Sequence, residues 1–153
     1  MSKKILFILL GIVSMHTIMA QENEVQQLID ELREKYAPDR RVELFQVAAE
    51  QRGDTLVLEG VITNAEAKEA LNSKMKEISP VVIDQTRLLP DEELGDKTRG
   101  VVYNSAATIR AEPRYSTELV TQALLGTPVR ILEKRGGWTR IQTPDRYIGW
   151  VNG

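Results

Sequence analysis

The apolar residues of this chain follow four patterns in turn, and each predicts a different kind of element. Residues 5–15, "ILFILLGIVSM", form an almost unbroken apolar run. In "EVQQLIDELREKY", Val25, Leu28, Ile29, Leu32 and Tyr36 recur at the spacing of one helix face. Pro38 and Asp39 close that helix. "RVELFQVAAEQ" then alternates through Val42 and Leu44, Phe45 and Val47, and "TLVLEGVIT" places Leu56, Leu58 and Ile62 on one face. Both predict strands. The "RGD" at residues 52–54 between them predicts a hairpin turn, a simpler reading than an adhesion motif. Helical spacing returns in "TNAEAKEALNSKMKEI", with Ala67, Ala70, Leu71, Met75 and Ile78 as the buried stripe. Thr63 and Glu66 fit a capping box, and Asn64 is the rival N-cap. Pro80 ends that helix, and "VVIDQTRLL" predicts a third strand.

From Val101 onward the pattern is short β segments separated by turns, with strands expected at 107–110, 120–124, 128–134, 138–142 and 147–151. Short strands at regular spacing without a helical period predict a small all-β barrel. The architecture expected is an α+β domain of order αββαβ over residues 22–89, then a barrel over residues 101–153. Residues 90–100, "PDEELGDKTRG", read as the linker because they gather Pro, two Gly and acids. Those acids lack the alternating ligand spacing of a calcium loop, so no metal site is expected there.

Charge sharpens this division. Residues 21–97 hold 18 acids against 10 bases, a balance of −8, and residues 98–153 hold 4 against 8, a balance of +4. Two units with different surfaces are expected. Lys3 and Lys4 precede the apolar run, and "HTIMAQ" follows it. That is the layout of an export signal cleaved after Ala20, and the run is too short for a transmembrane helix of roughly 20 residues. The mature chain is expected in the periplasm or secreted, with no membrane span. It has no Cys, so packing rather than disulfides must hold it together.

Two stretches resemble known families. "DTLVLEGVITNAEAKEALNSKMKEI" followed by "VVIDQTRLL" resembles the BON domain of bacterial envelope proteins, with its strand, Gly-centred turn, helix and closing strand. That resemblance implies an envelope partner. In the second unit, "ATIRAEP" at 107–113, "LLGTPVRIL" around Gly126, "GGWTRI" around Trp138 and "IGWV" at 148–151 fall in the order of a bacterial SH3-like (SH3b) domain. Thr108 stands where that family usually has Asn, and Ala107 where it has Leu. The resemblance implies a wall-targeting module that recognises peptidoglycan stem peptides, of the kind preceding NlpC-type cysteine peptidases.

The residue inventory points to binding. The single His, His16, lies in the segment expected to be removed, so the mature chain offers neither Cys–His nor Ser–His–Asp chemistry. The acids fall on helix faces and in the linker, with no pocket signature for a carboxylate pair. No cofactor is expected. Tyr103, Tyr115, Trp138, Tyr147 and Trp150 accompany Arg110 and Arg114 in the second unit. Aromatic rings and guanidinium groups suit a groove that reads an extended peptide bearing carboxylates. Trp138 and Trp150 also suit packing within a barrel this small; Arg114 and Tyr115, in a loop after Pro113, are better placed for a ligand. Export and an acidic mature chain argue against nucleic acid.

The expected function is therefore an exported, non-catalytic protein that binds peptidoglycan peptide. Two alternatives stand beside it. One is the targeting region of a secreted NlpC-type endopeptidase whose catalytic domain lies beyond Gly153. The other is a periplasmic scaffold acting through the BON-like unit. The final Asn152-Gly153 pair predicts a hairpin turn whose second strand would follow Gly153.

Overall fold

The computed structural model describes residues 23–153; the expected export segment, its cut after Ala20 and His16 lie outside the described residues. The first helix, α1, covers residues 23–36. Strands β1 (Phe45–Arg52) and β2 (Thr55–Ile62) form an antiparallel hairpin about the Gly53–Asp54 turn. Helix α2 (Ala65–Ile78) then returns the chain to β3 (Val81–Leu88), which pairs parallel to β2. The sheet order is β1-β2-β3.

One face of this sheet carries Phe45, Val47, Leu56, Leu58 and Ile62, and both helices cover it with Val25, Ile29, Leu32, Ala67, Leu71 and Met75. The helical and strand periods therefore converge on one apolar layer. Asn64 is the N-cap of α2, its side chain accepting from the Ala67 N–H at 3.2 Å. Thr63 is not part of a capping box. Its hydroxyl accepts the Leu44 N–H at 2.9 Å and donates to Glu43 at 2.5 Å, tying β2 to the segment before β1. Gly60 is not in a turn either. It lies inside β2 with φ +139°, and a Cβ there would sit 1.8 Å from the Gln46 carbonyl oxygen of β1.

The second unit comprises β4 (Arg99–Val101), β5 (Ala106–Arg110), β6 (Leu119–Leu124), β7 (Pro128–Arg135), β8 (Trp138–Gln142) and β9 (Ile148–Asn152). They form one six-stranded antiparallel sheet in the order β4-β7-β8-β9-β5-β6. The sheet closes over Val102, Ile109, Ala123 and Ile141. Gly149 is required where β5 crosses β9, because a Cβ would lie 2.5 Å from Ile109 Cγ2 and 2.7 Å from the Arg110 carbonyl oxygen. Asn152 continues β9 opposite Trp138, and the Gly153 N–H donates to the Gly137 carbonyl at 3.1 Å.

The two units share a packed seam. Leu44, Val61 and Leu89 of the first meet Leu132 and Ile148 of the barrel. The Ile148 N–H donates to the Arg41 carbonyl at 2.6 Å, and the Asp91 N–H donates to the Leu132 carbonyl at 2.8 Å. Gln142 Nε2 donates to the Val42 carbonyl at 3.1 Å, and Arg146 pairs with Glu43 at 2.8 Å. The segment read as a solvated linker is thus anchored. It carries a 3₁₀ turn at Glu92–Leu94 and ends as β4, with the Ile131 N–H donating to Thr98.

A bulge in β7 builds the polar part of this seam. The register steps from Ile131↔Ile141 to Glu133↔Arg140, so Leu132 is the extra residue. Leu132 and Glu133, although adjacent, are both buried. Glu133, 2% exposed, lies between Arg140 at 2.8 Å and Arg87 of β3 at 2.6 Å. The Arg140 pair is close in distance but bent away from hydrogen-bond geometry. Burial lowers the pKa of Arg140 against the raising effect of Glu133, whereas the hydrogen bond to Glu133 raises that of Arg87.

Candidate functional site

The loop between β5 and β6 is held in place before any ligand is considered. The Ala111 N–H donates to the Glu118 carbonyl at 3.0 Å, and Arg110 Nη1 donates to the Thr117 carbonyl at 2.9 Å. Thr117 Oγ1 bonds back to the Arg114 carbonyl at 3.1 Å. This presents Tyr115 to Trp138 at the start of β8, with ring centroids 5.0 Å apart and planes at 61°. That edge-to-face contact suits the ring quadrupoles. The Tyr115 hydroxyl donates to Asn152 Oδ1 at 2.7 Å, and Asn152 Nδ2 donates to the Gly137 carbonyl at 3.3 Å. An exposed tyrosine is thereby fixed at both its ring and its hydroxyl.

Two adjoining depressions flank this arrangement. The smaller, about 230 Å³, is walled by Tyr115, Trp138, Arg110 and Thr108. The larger, about 360 Å³, has an apolar floor of Val102, Val129, Ile131 and Ile141, with Tyr103 and Lys134 at its rim. Asn104, Ala107, Val151 and Asn152 line both, so the two form one groove. Its chemistry is an aromatic wall, an apolar trough and two cationic side chains. Lys134 is exposed and joins no ion pair among the described residues.

The expected site residues separate by position. Tyr103, Arg110, Tyr115 and Trp138 line the groove, Tyr103 being 92% exposed and Trp138 only 9%. Arg114 lines neither depression and pairs with Glu112 at 2.9 Å within the loop. Tyr147 lies by the seam, with the Arg41 guanidinium 5.7 Å from its ring centre. Trp150 is a correction: it is 1% exposed, with Arg140 at 4.5 Å and Arg135 at 5.6 Å from its ring. Trp150 lines neither depression, whereas its neighbours Val151 and Asn152 at the end of β9 line both. Asn152 and Lys134 were not anticipated as groove residues. Asn152 sits opposite Trp138 in the register of β8 and β9, a cross-strand pairing that spacing along β9 alone does not reveal.

Residues 109–153 match a bacterial SH3 domain family. The family is described as the bacterial dipeptidyl-peptidase SH3 domain, and the match runs from β5 to the end of β9. It takes in Tyr115, Trp138 and Asn152 but leaves out β4 and Tyr103. This supports an SH3b domain at the C-terminal end, of the kind that suggests a cell-wall binding module. No curated protein matches the chain. Among the described residues, no helix is long and apolar enough to cross a membrane, and no group of three His, Cys, Asp or Glu is placed to hold a metal.

Proposed function

We propose that this chain is an exported, non-catalytic binding protein whose SH3-type barrel recognises a peptidoglycan peptide. The observation that carries the reading is the Tyr115–Trp138–Asn152 arrangement beside an apolar trough. Rigid aromatics lose little entropy on binding, and the trough suits small aliphatic side chains of an extended peptide. Arg110 and Lys134 supply cations for its carboxylates. The αββαβ unit, which resembles the BON domain, is the part we assign to an envelope partner.

The test is retention of the purified mature chain on peptidoglycan sacculi. Tyr115→Ala should weaken retention by roughly thirty-fold, the cost of about 2 kcal/mol for a truncated aromatic anchor. Arg114→Ala, outside the groove, should bind like the parent. Equal retention of all three proteins, or none by the parent, would sink the proposal. A second reading draws on the family description, which names a peptidase: the barrel is the targeting part of a secreted peptidoglycan endopeptidase. Finding a downstream Cys- and His-bearing domain in the same reading frame would favour it.

A further inference from the structure

Arg99 and Arg130 stand directly opposite each other on β4 and β7. Directly opposed residues of an antiparallel pair share one face, with Cβ atoms about 5 Å apart, and like charges so placed repel. Among the described residues, no ion pair offsets that repulsion. The ion pairs of the barrel engage Arg114, Arg140 and Arg146. Arg99 and Arg130 are both exposed, and neither joins an ion pair among the described residues. Both border a depression of about 680 Å³, which Thr98, Gln142 and Thr143 also line. Its place is the far side of β4 and β7 from the floor of the peptide groove.

The available donors define the ligand. Gln142 stands next in register to Arg130, but its Nε2 already donates to Val42 and Arg146 carbonyls at 3.1 and 3.0 Å. The Thr143 hydroxyl donates to the Tyr147 carbonyl at 3.1 Å. Two guanidinium forks and the Thr98 hydroxyl are left to face an anion. A carboxylate presents one planar edge, which one fork satisfies. A phosphoryl group presents oxygens in several directions and carries nearly two charges at neutral pH, matching two forks.

We propose that Arg99, Arg130 and Thr98 form a binding site for a phosphomonoester, separate from the peptide groove. The source is a soluble or polymer-borne phosphate ester or a phosphomonoester lipid headgroup. The test is an NMR titration of the full mature chain with phenyl phosphate at constant ionic strength. Amides around residues 98–100 and 128–130 should shift and saturate. Arg99→Gln and Arg130→Gln should each weaken binding roughly tenfold or more, as expected for a charge-assisted hydrogen bond. Acetate at the same ionic strength should not saturate. Without ligand, each variant should be at least as stable as the parent, because the repulsion is relieved.

Sedimentation with phosphatidylcholine vesicles containing phosphatidic acid distinguishes the sources. Co-sedimentation assigns the site to a lipid headgroup, and phenyl phosphate binding without it assigns a soluble or polymer-borne ester. Shifts from phenyl phosphate that match those from sodium chloride, or that persist unchanged in both variants, would overturn the proposal. So would destabilisation of the ligand-free variants, which would show the pair to be held by contacts within the fold.

Discussion

Glu133→Gln should destabilise the whole chain by about 3 kcal/mol. The carboxylate is 2% exposed and lies between Arg140, 9% exposed, and Arg87, 42% exposed. Removing one partner of a buried pair costs about 3–5 kcal/mol, because the remaining charge is stranded. The lower end applies here. The Gln oxygen still accepts one hydrogen bond, and Arg87 is solvated and retains Asp91 as a partner. Arg140 has no such escape, packed on the Trp150 ring at 4.5 Å. At about 2–4 °C per kcal/mol for a chain of this size, the thermal midpoint should fall by about 6–12 °C.

Urea unfolding followed by two probes measures this. Both tryptophans, Trp138 and Trp150, report on the barrel, and both helices report on the first unit. The parent should give coincident transitions, since the apolar seam and Glu133 tie the units together. Glu133→Gln should move the transitions of both probes to lower urea. Glu133→Leu combined with Arg140→Met should recover most of the loss, because it removes the charge together with its partner. A loss below about 1 kcal/mol in Glu133→Gln, or a double variant no better than the single, would refute the account of a stranded Arg140.

Two further perturbations follow. Gly60→Ala should prevent folding of the first unit: its Cβ would meet the Gln46 carbonyl oxygen at 1.8 Å, and the φ of +139° is strained for any other residue. A soluble variant with parental helix content would refute this. Acid should also weaken the chain at its seam turn. Asp39 is held down to about 2 by the Arg41 guanidinium and backbone N–H, and Arg41 in turn accepts the Ile148 N–H. A depressed folded pKa contributes stability that is present above the ordinary value of 3.8 and lost as pH falls through about 2. Asp84 acts in the same direction: burial pushes its pKa up, but hydrogen bonds from Thr86, Asn72 and Lys68 outweigh that. The thermal midpoint should be flat above about pH 5, drop between about 4 and 2, and drop less in Asp39→Asn. An identical acid limb in the variant would remove Asp39 from the explanation.

Local periodicity determined the elements of this protein. The stripe Ala67, Leu71 and Met75 and the alternation Leu56, Leu58 and Ile62 needed only neighbours two to four residues away, and all six are buried as expected. The barrel strands were legible as short β segments set between turn residues, and Trp138–Gln142 falls at the bounds expected for it. Half of the groove was legible too, because Tyr115 follows a Pro-containing turn and Trp138 opens a strand. What required the tertiary structure depends on partners far apart in the chain. Arg87 meets Glu133 from 46 residues away, and Gln142 meets Val42 from 100. The bulge at Leu132 leaves no mark in the period-2 pattern, yet it turns an acidic residue inward to join the units. Trp150 read as either a packing or a ligand-facing aromatic because composition cannot say which side of β9 is covered; its burial, with Arg140 and Arg135 beside the ring, decides for packing. Asn152 read as a turn residue because Asn-Gly is a strong local signal, and its place opposite Trp138 of β8 came only from the strand pairing. Elements follow from short-range spacing, whereas faces, seams and sites follow from which strands come to lie side by side.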